Sequence, residues 1–222
     1  RDILDFSVNL RPEGPPEFIT SALWRAMNGV TPYPSPDMQE LREKAALHYG
    51  LLPECFVFGN GANELIHALP RALNLKRAVI PEPAFSEYRL ACLCHGVEID
   101  SVPSGEKTSF TPSLAALAER AGTNHEGEEQ ETACNPSGGL LDKKELFQTI
   151  KENPGTVWIL DESFIDYTGG KESLLPDAAT LPNLVILRSL TKFYGMAGVR
   201  CGFAVSCALL AERLRKNLPA WN

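Results

Sequence analysis

The 222-residue sequence lacks the roughly 18 to 20 consecutive apolar residues that a membrane-spanning helix needs, and it opens without the pattern of a signal peptide. It also lacks a basic excess, since 21 lysines and arginines stand against 28 acidic residues and give a net charge of -7. A nucleic acid or an anionic membrane would select a basic face. We therefore expect a cytoplasmic protein with neither kind of partner.

Cysteine is scarce and scattered, without the regular spacing of a secreted disulfide scaffold. Cys92, Cys94 and His95 form a C-x-C-H cluster that could suggest zinc, but no second distant pair completes such a site. Ordinary helix packing of reduced thiols is the alternative, and we prefer it. We expect no metal.

A hydrophobic content of 44% in 222 residues is enough for one sizeable core and excludes a disordered or fibrous chain. The sequence begins at Arg1 and ends at Asn222, just after a predicted helix. We expect it to be a fragment of a longer protein.

Short apolar β-rich runs alternate with segments of helical periodicity, which favours a parallel α/β sheet. The predicted strands are 55–58, 78–80, 97–102, 156–160, 184–187 and 201–205. The predicted helices start near Pro36 and after Gly61, and continue at 85–95, 113–121, 143–151 and 208–217.

The stretch HEGEEQETA at 125–133 interrupts this alternation where an apolar strand is expected. Its charge is typical of a solvated loop. Either the strand is absent, or residues are missing and two segments are joined across a gap near 122–134.

Lys192 follows the buried run LVIL, with Ser189 and Thr191 beside it and Arg200 eight residues on. Burial and neighbouring cations can lower the pKa of such an amine, so that it attacks a carbonyl carbon. The group suits a Schiff base next to a phosphate. A surface lysine after a strand would explain Lys192 alone, but not its neighbours.

Asp161 ends the run TVWIL, so its carboxylate is expected at the carboxyl edge of the sheet, where ligands of open α/β sheets gather. It could pair with a protonated pyridine nitrogen. A helix cap or a metal ligand is the alternative.

Three further segments are candidates for binding. The amides of Gly61, Ala62 and Asn63 would point from a helix N-terminus, which is an anion site, although the turn completes neither nucleotide-binding fingerprint. Phe85 could stack on a planar ring or pack in the core. Asn135, in the turn NPSG, could aim an amide at a ring hydroxyl or serve the turn alone.

These motifs resemble the fold-type I pyridoxal-phosphate enzymes, in the class I and II aminotransferase family that includes histidinol-phosphate aminotransferase and threonine-phosphate decarboxylase. Seven motifs occur in the family's order. They are DFSVNLRPEGPP, YPSPDMQELR, FGNGANELI, PEPAFSEY, CNPSGG, DESFIDY and LRSLTKFYGMAGVRCGF.

The resemblance implies an aspartate-aminotransferase-like large domain with a mixed, mostly parallel sheet, helices on both faces and pyridoxal 5'-phosphate as cofactor. Lys192 would form the Schiff base and move the proton at the substrate α-carbon. Asp161 would pair with the pyridine nitrogen, Phe85 would stack on the ring, and Asn135 would bond its 3-oxygen. The phosphate would be held by the Gly61 turn with the Ala62 and Asn63 amides, Ser189, Thr191 and Arg200.

The resemblance also implies a homodimer with shared active sites, because Tyr33 matches a tyrosine that reaches the neighbouring subunit's phosphate. Residues 1–34 would form an N-terminal arm, with Asn9 contacting substrate, and 35–222 the cofactor-binding domain. The small C-terminal domain would lie outside this sequence. Arg11 stands where the family usually has asparagine.

Three features lean toward threonine-phosphate decarboxylase: the opening DFSxN, Phe85 and Phe164 in place of tyrosine, and LRSLTKFY. The expected substrate is a small phosphorylated amino acid. An aminotransferase is the first alternative and a cofactor-binding module without turnover is the second. A nucleotide-binding α/β protein would leave the later motifs unexplained.

Overall fold

The computed structural model describes residues 8–122, 130–134 and 140–220, with the backbone alone for 130–134. Seven strands form one sheet: β1 (Phe56–Asn60), β2 (Arg77–Glu82), β3 (Glu98–Pro103), β4 (Gln130–Cys134), β5 (Thr156–Asp161), β6 (Leu184–Ser189) and β7 (Cys201–Ser206). Their order across the sheet is β1-β7-β6-β5-β4-β2-β3.

The described α-helices are α1 (Glu17–Ala26), α2 (Gln39–Tyr49), α3 (Ala62–Ala72), α4 (Ser86–Cys94), α5 (Leu114–Gly122), α6 (Lys143–Glu152), α7 (Leu175–Ala178) and α8 (Ala208–Arg215). Short 3-10 turns precede β1 at Pro53–Cys55 and β7 at Ala197–Val199. No helix in the described ranges is long and apolar enough to cross a membrane.

Strand direction confirms the predicted mixed, mostly parallel sheet. Strands β3, β2, β4, β5 and β6 pair in parallel, whereas β7 runs antiparallel to both β6 and β1. The carboxyl ends of six strands and the amino end of β7 therefore share one edge of the sheet. Loops that follow those strand ends carry the candidate site.

The sheet is covered on both faces, which explains why its central strands read as continuous apolar runs. In β5, Val157 and Ile159 pack in the cluster under α3, α4 and α8. Trp158 and Leu160 point the other way, into the cluster under α2, α5, α6 and α7. Successive strand residues alternate between the two faces, so both sides of the strand lie in a core.

Two helix ends show ordinary capping chemistry. Asp142 caps α6 by accepting hydrogen bonds from the backbone nitrogens of Lys144 and Glu145 at 3.0 and 2.9 Å. Gly50 ends α2 in the left-handed conformation at φ 68°, which glycine adopts without a steric penalty. The local sequence thus sets these boundaries.

The interpretation of the acidic stretch as a solvated loop is wrong for residues 130–134, which form strand β4. Strand β4 pairs with β2 through Arg77↔Gln130 to Val79↔Thr132, and with β5 over its whole length. A strand between two parallel neighbours satisfies its backbone groups on both sides, and this context outweighs side-chain preference. The alternative of a gap in the chain stays a prediction.

Candidate active site

Four chain segments meet at the carboxyl edge of the sheet. Strand β5 ends at Asp161 and its neighbour β6 ends at Ser189, with Asp161 paired to Leu187 across the ladder. Strand β7 starts directly after Arg200, and Asn60 at the end of β1 pairs with Cys201. The sheet therefore brings together residues from sequence motifs that are up to 140 positions apart.

Lys192 lies three residues beyond β6, and its side chain is half-buried. Its Nζ donates to the Ser189 Oγ at 3.3 Å. Burial lowers the pKa of Lys192 below its ordinary value, the carboxylate of Asp161 opposes that shift, and the Arg200 charge adds to it. A larger fraction of this amine is therefore neutral, and nucleophilic, than for a lysine in water.

Asp161 is held by two donors. Its Oδ1 accepts a hydrogen bond from the backbone nitrogen of Ser163 at 2.8 Å. Its Oδ2 accepts one from the hydroxyl of Tyr88, a side chain that is only 4% exposed. Because both contacts donate to the carboxylate, they fix its orientation at the end of β5.

Beside Lys192, two hydroxyls and a guanidinium form a polar pocket. The Ser189 and Thr191 hydroxyl oxygens lie 2.7 Å apart, and both residues are buried. Arg200 anchors one end of its guanidinium on the Ala197 carbonyl at 3.0 Å. The other nitrogen, Nη2, faces Gly61, where an added Cβ would lie only 2.6 Å from it.

The first turn of α3 completes this pocket. Gly61 precedes the helix at φ 81°, and the Glu64 carboxylate accepts a hydrogen bond from the Asn60 backbone nitrogen at 2.7 Å. The Asn63 amide group donates to Glu87 on α4 at 3.2 Å, and Glu87 also pairs with His67 at 2.9 Å. The turn is thus braced from α3 itself and from α4.

Two phenylalanines border the site. Phe85 is 48% exposed, and its ring meets that of Tyr88 edge to face at 6.2 Å, next to Asp161. Phe164 lies two residues beyond Glu162 and stacks on Tyr167 at 6.3 Å. Phe85 is too exposed for the core-packing alternative, so its face is available to a planar ligand.

Two of the remaining predicted residues have exposed side chains. Tyr33 is 84% exposed, and Asn9 is also exposed. Asn135 lies outside the described residues. The structure therefore brings together Lys192, Asp161, Ser189, Thr191, Arg200, Gly61, Ala62, Asn63 and Phe85. The chemical role of each residue stays a prediction.

Sequence reasoning missed Tyr88 and Glu87, which position Asp161 and Asn63 from α4. A signal was present, since Tyr88 follows Phe85 by three residues and residues at that spacing share one helix face. The C-x-C-H cluster, by contrast, separates into a buried Cys92 and an exposed Cys94. No group of three or more potential ligands in the described ranges is arranged to hold a metal ion.

These residues fit a pyridoxal phosphate. An anion needs donors, and the pocket offers two hydroxyls, a guanidinium and the amino end of α3. Gly61 leaves the space beside Arg200 that a Cβ would fill. An amine of lowered pKa and an oriented carboxylate stand next to that pocket, which matches the groups that an aldehyde and a pyridinium nitrogen require.

The sheet order and this constellation define the aspartate-aminotransferase-like class of α/β domain. The sequence pattern of the family "Aminotransferase class I and II" matches residues 1–222. The chain belongs to this family, and the predicted class of pyridoxal-phosphate enzymes is thereby confirmed.

Relatives of both predicted activities are similar to the chain. A bifunctional adenosylcobalamin biosynthesis protein, CobDQ, of Leptospira interrogans is 30% identical over all of this chain and 26% of its own length. A threonine-phosphate decarboxylase of Salmonella typhimurium is 32% identical over 98% of the chain and 60% of its length. A histidinol-phosphate aminotransferase of Pyrococcus furiosus is 32% identical over 86% of the chain and 54% of its length.

Solved structures confirm the fold. A histidinol-phosphate aminotransferase from Clostridium acetobutylicum superposes with a TM-score of 0.87 at 24% identity, over 99% of this chain and 66% of that one. An L-threonine-O-3-phosphate decarboxylase from Porphyromonas gingivalis gives 0.83 at 24%, over 99% and 65%. The chain therefore spans less than two thirds of the length of these proteins.

Proposed function

We propose that this chain is the cofactor-binding part of a pyridoxal-phosphate enzyme that decarboxylates L-threonine O-3-phosphate to aminopropanol phosphate in cobalamin synthesis. The observation that carries the proposal is the placement of Lys192, whose Nζ donates to Ser189 at 3.3 Å, at the sheet edge that also carries Asp161, Thr191 and Arg200. A pure phosphate-binding module has no need of such an amine.

In this proposal each group has one task. Ser189, Thr191, Arg200 and the amides of Ala62 and Asn63 hold the phosphate, and Phe85 stacks on the ring. Asp161 pairs with the pyridine nitrogen, in the orientation set by Tyr88 and Ser163. Asn135 would bond the ring's 3-oxygen.

The cofactor, when bound, supplies an aldehyde carbon that condenses with amines and a ring that accepts electron density. Lys192 contributes an amine whose pKa is lowered by burial and by the charge of Arg200. Its Nζ is the group that moves a proton to or from the substrate α-carbon. Asp161 would accept a hydrogen bond from the ring nitrogen of the cofactor, since the Ser163 backbone nitrogen holds its carboxylate in place.

The reaction type depends on how the protein holds the substrate. Residues that place the carboxylate perpendicular to the ring favour loss of CO2, whereas residues that place the α-hydrogen there favour transamination. The opening DFSxN, Phe85, Phe164 and LRSLTKFY favour the decarboxylase. A histidinol-phosphate aminotransferase at 32% identity supports the alternative reaction, with 2-oxoglutarate as acceptor.

The proposed protein is a cytoplasmic homodimer with shared active sites. Residues 1–34 form its arm and 35–222 its cofactor-binding domain. The resemblance of Tyr33 to a tyrosine that reaches the neighbouring subunit is the basis for this assembly, and its side chain is 84% exposed. A dimer contact that buries Tyr33 next to the partner's phosphate pocket would complete each site.

The first experiment tests the cofactor role of Lys192. Full-length protein with pyridoxal phosphate should show a visible absorbance band that borohydride removes while attaching the cofactor to Lys192. Lys192→Ala should lack the band, and Lys171→Ala, which alters an exposed lysine, should keep it. Absence of the band from the unaltered protein would contradict the catalytic assignment and favour a binding module.

The second experiment separates the two reactions. Purified holoenzyme is given L-threonine O-3-phosphate alone, or histidinol phosphate with 2-oxoglutarate, and CO2 and glutamate are measured. Release of CO2 from the first substrate supports the decarboxylase. Formation of glutamate without CO2 contradicts it and supports the aminotransferase.

A further inference from the structure

The segment around Arg11 is docked directly against the loop that carries Lys192. The backbone nitrogen of Arg11 donates to the carbonyl oxygen of Lys192 at 3.3 Å. Three residues on, Gly14 lies against Gly195, where an added Cβ would lie 2.6 Å from the Gly14 carbonyl carbon. Gly195 has φ 62°, so it serves both the turn and this close approach.

The Arg11 side chain has a weak partner. Its Nε donates to the Glu13 carboxylate at 3.2 Å, and the two side chains are 37% and 69% exposed. Exposed ion pairs contribute little, because water screens them and both side chains lose freedom. The guanidinium can therefore exchange Glu13 for a better anion, and its planar donors suit a phosphate in a bidentate contact.

Two other arginines near the site are already engaged. Arg200 faces the proposed cofactor-phosphate pocket. Arg188 is buried, and its guanidinium lies 3.7 Å from Glu162 and 3.4 Å from Asp166. A substrate with its own phosphate brings a second dianion to this edge of the sheet, and Arg11 offers it a cation whose partner is a single exposed carboxylate.

We propose that Arg11 binds the phosphate monoester of the substrate and thereby selects phosphorylated over unphosphorylated amino acids. In the free enzyme the Glu13 carboxylate pairs with the Arg11 guanidinium, and the substrate phosphate displaces that carboxylate. Arg11 is a specificity residue of this chain, at a position where the family usually has asparagine. The inference rests on the proposed function and deepens it.

The test measures equilibrium binding to full-length holoenzyme by calorimetry. Propyl phosphate is the probe, because it carries the phosphate monoester but has no amine to react. Arg11→Ala should weaken its binding about tenfold or more, the range expected for a lost charged hydrogen bond. Arg11→Lys should restore part of that loss, and Glu13→Gln should tighten binding a few-fold by removing the competing carboxylate.

Controls separate the loss of the phosphate contact from a general change in charge and from a loss of cofactor binding. Lys44→Ala removes one charge from a more exposed ion pair on α2 and should leave propyl phosphate binding unchanged. The absorbance band at Lys192 should persist in Arg11→Ala, and the affinity for L-threonine should change far less than that for L-threonine O-3-phosphate.

Two outcomes would overturn the inference in different ways. If the band forms and Arg11→Ala binds propyl phosphate as tightly as the unaltered enzyme, Arg11 is not the phosphate ligand, and the proposed function stands. If the unaltered protein forms no band, the proposed function fails and the inference fails with it.

Discussion

Replacing Gly202 by alanine should damage cofactor binding through a steric push on the first turn of α3. Gly202 lies in β7 opposite Gly59 of β1, directly below the candidate anion pocket. A Cβ built there would lie 2.4 Å from the backbone nitrogen of Ala62 and 2.8 Å from the carbonyl carbon of Gly61. Both contacts are with backbone, which cannot rotate away as a side chain can.

The displacement sets the size of the effect. Ordinary contacts begin at 3.4 Å, so the Ala62 nitrogen must move by about 1 Å. Overpacking of this kind costs about 1–3 kcal/mol of folding free energy. The same shift misaligns the amides of Ala62 and Asn63, and loss of one charged hydrogen bond, about 1.5–3 kcal/mol, weakens cofactor binding roughly tenfold or more.

The assay is a titration of cofactor-free full-length protein with pyridoxal phosphate, followed by absorbance, together with urea unfolding. Gly198→Ala is the matched control, because a Cβ at Gly198 meets no atom within 4 Å and lies on the neighbouring turn. It should change neither measurement by more than about 0.5 kcal/mol. Unaltered cofactor affinity and stability in Gly202→Ala would refute the steric argument.

Three further outcomes follow from the charged groups around the sheet edge. Burial lowers the pKa of Lys192 below 10.5, so just below pH 10.5 the unfolded chain binds more protons than the folded one and the free energy of unfolding rises with pH. In cofactor-free protein, Lys192→Met should flatten this rise, which is measured as the urea midpoint at each pH. Tyr88→Phe removes a donor to Asp161 and should cost about 1.5–3 kcal/mol in urea unfolding, whereas the half-exposed Tyr167→Phe should cost under about 0.5. Glu162→Gln removes one of the two carboxylates that pair with the buried Arg188 and should destabilise the fold by roughly 3 kcal/mol in thermal unfolding. A change near zero would mean that Asp166 alone balances the charge of Arg188.

The sheet could be predicted wherever a strand is covered on both faces. In β5 and β6 every position from 157 to 160 and from 184 to 187 is buried, so the apolar run is continuous and bounded by polar ends. Helix α2 was also predicted, but not its buried face. Leu47 is a large apolar residue but is 87% exposed, whereas the smaller Ala46 beside it is 5% exposed. Residue type alone does not tell which side of a short helix meets the sheet.

Strand β4 could not be predicted, because its existence depends on its neighbours. Its first three residues are polar or acidic, and the strand pairs between β2 and β5, whose partner residues lie 53 positions before and 26 positions after. Pairing of this range is invisible to local periodicity. It is decided by the assembled sheet.

In the candidate site, too, some residues could be predicted from the sequence and others could not. Lys192 and Asp161 could be located because each follows a recognisable strand, and parallel strands end at one edge. Tyr88 could not, since its role depends on a contact across 73 positions between α4 and the end of β5. The Asn63 contact with Glu87 depends in the same way on how α3 packs against α4.

The attachment of these groups suggests where substrate choice resides. Asp161 and Ser189 lie in β-ladders, and the Gly61 turn is braced by Glu64, so the proposed cofactor groups are fixed by the fold. Arg11 is attached to this edge by one backbone hydrogen bond, to Lys192, and its other contacts are a local turn with Gly14 and an exposed ion pair with Glu13. Changes to rigid groups should therefore affect every reaction of the enzyme, because each one passes through Lys192. Changes at Arg11 should instead alter which amino acid is accepted, since the cofactor groups keep their positions.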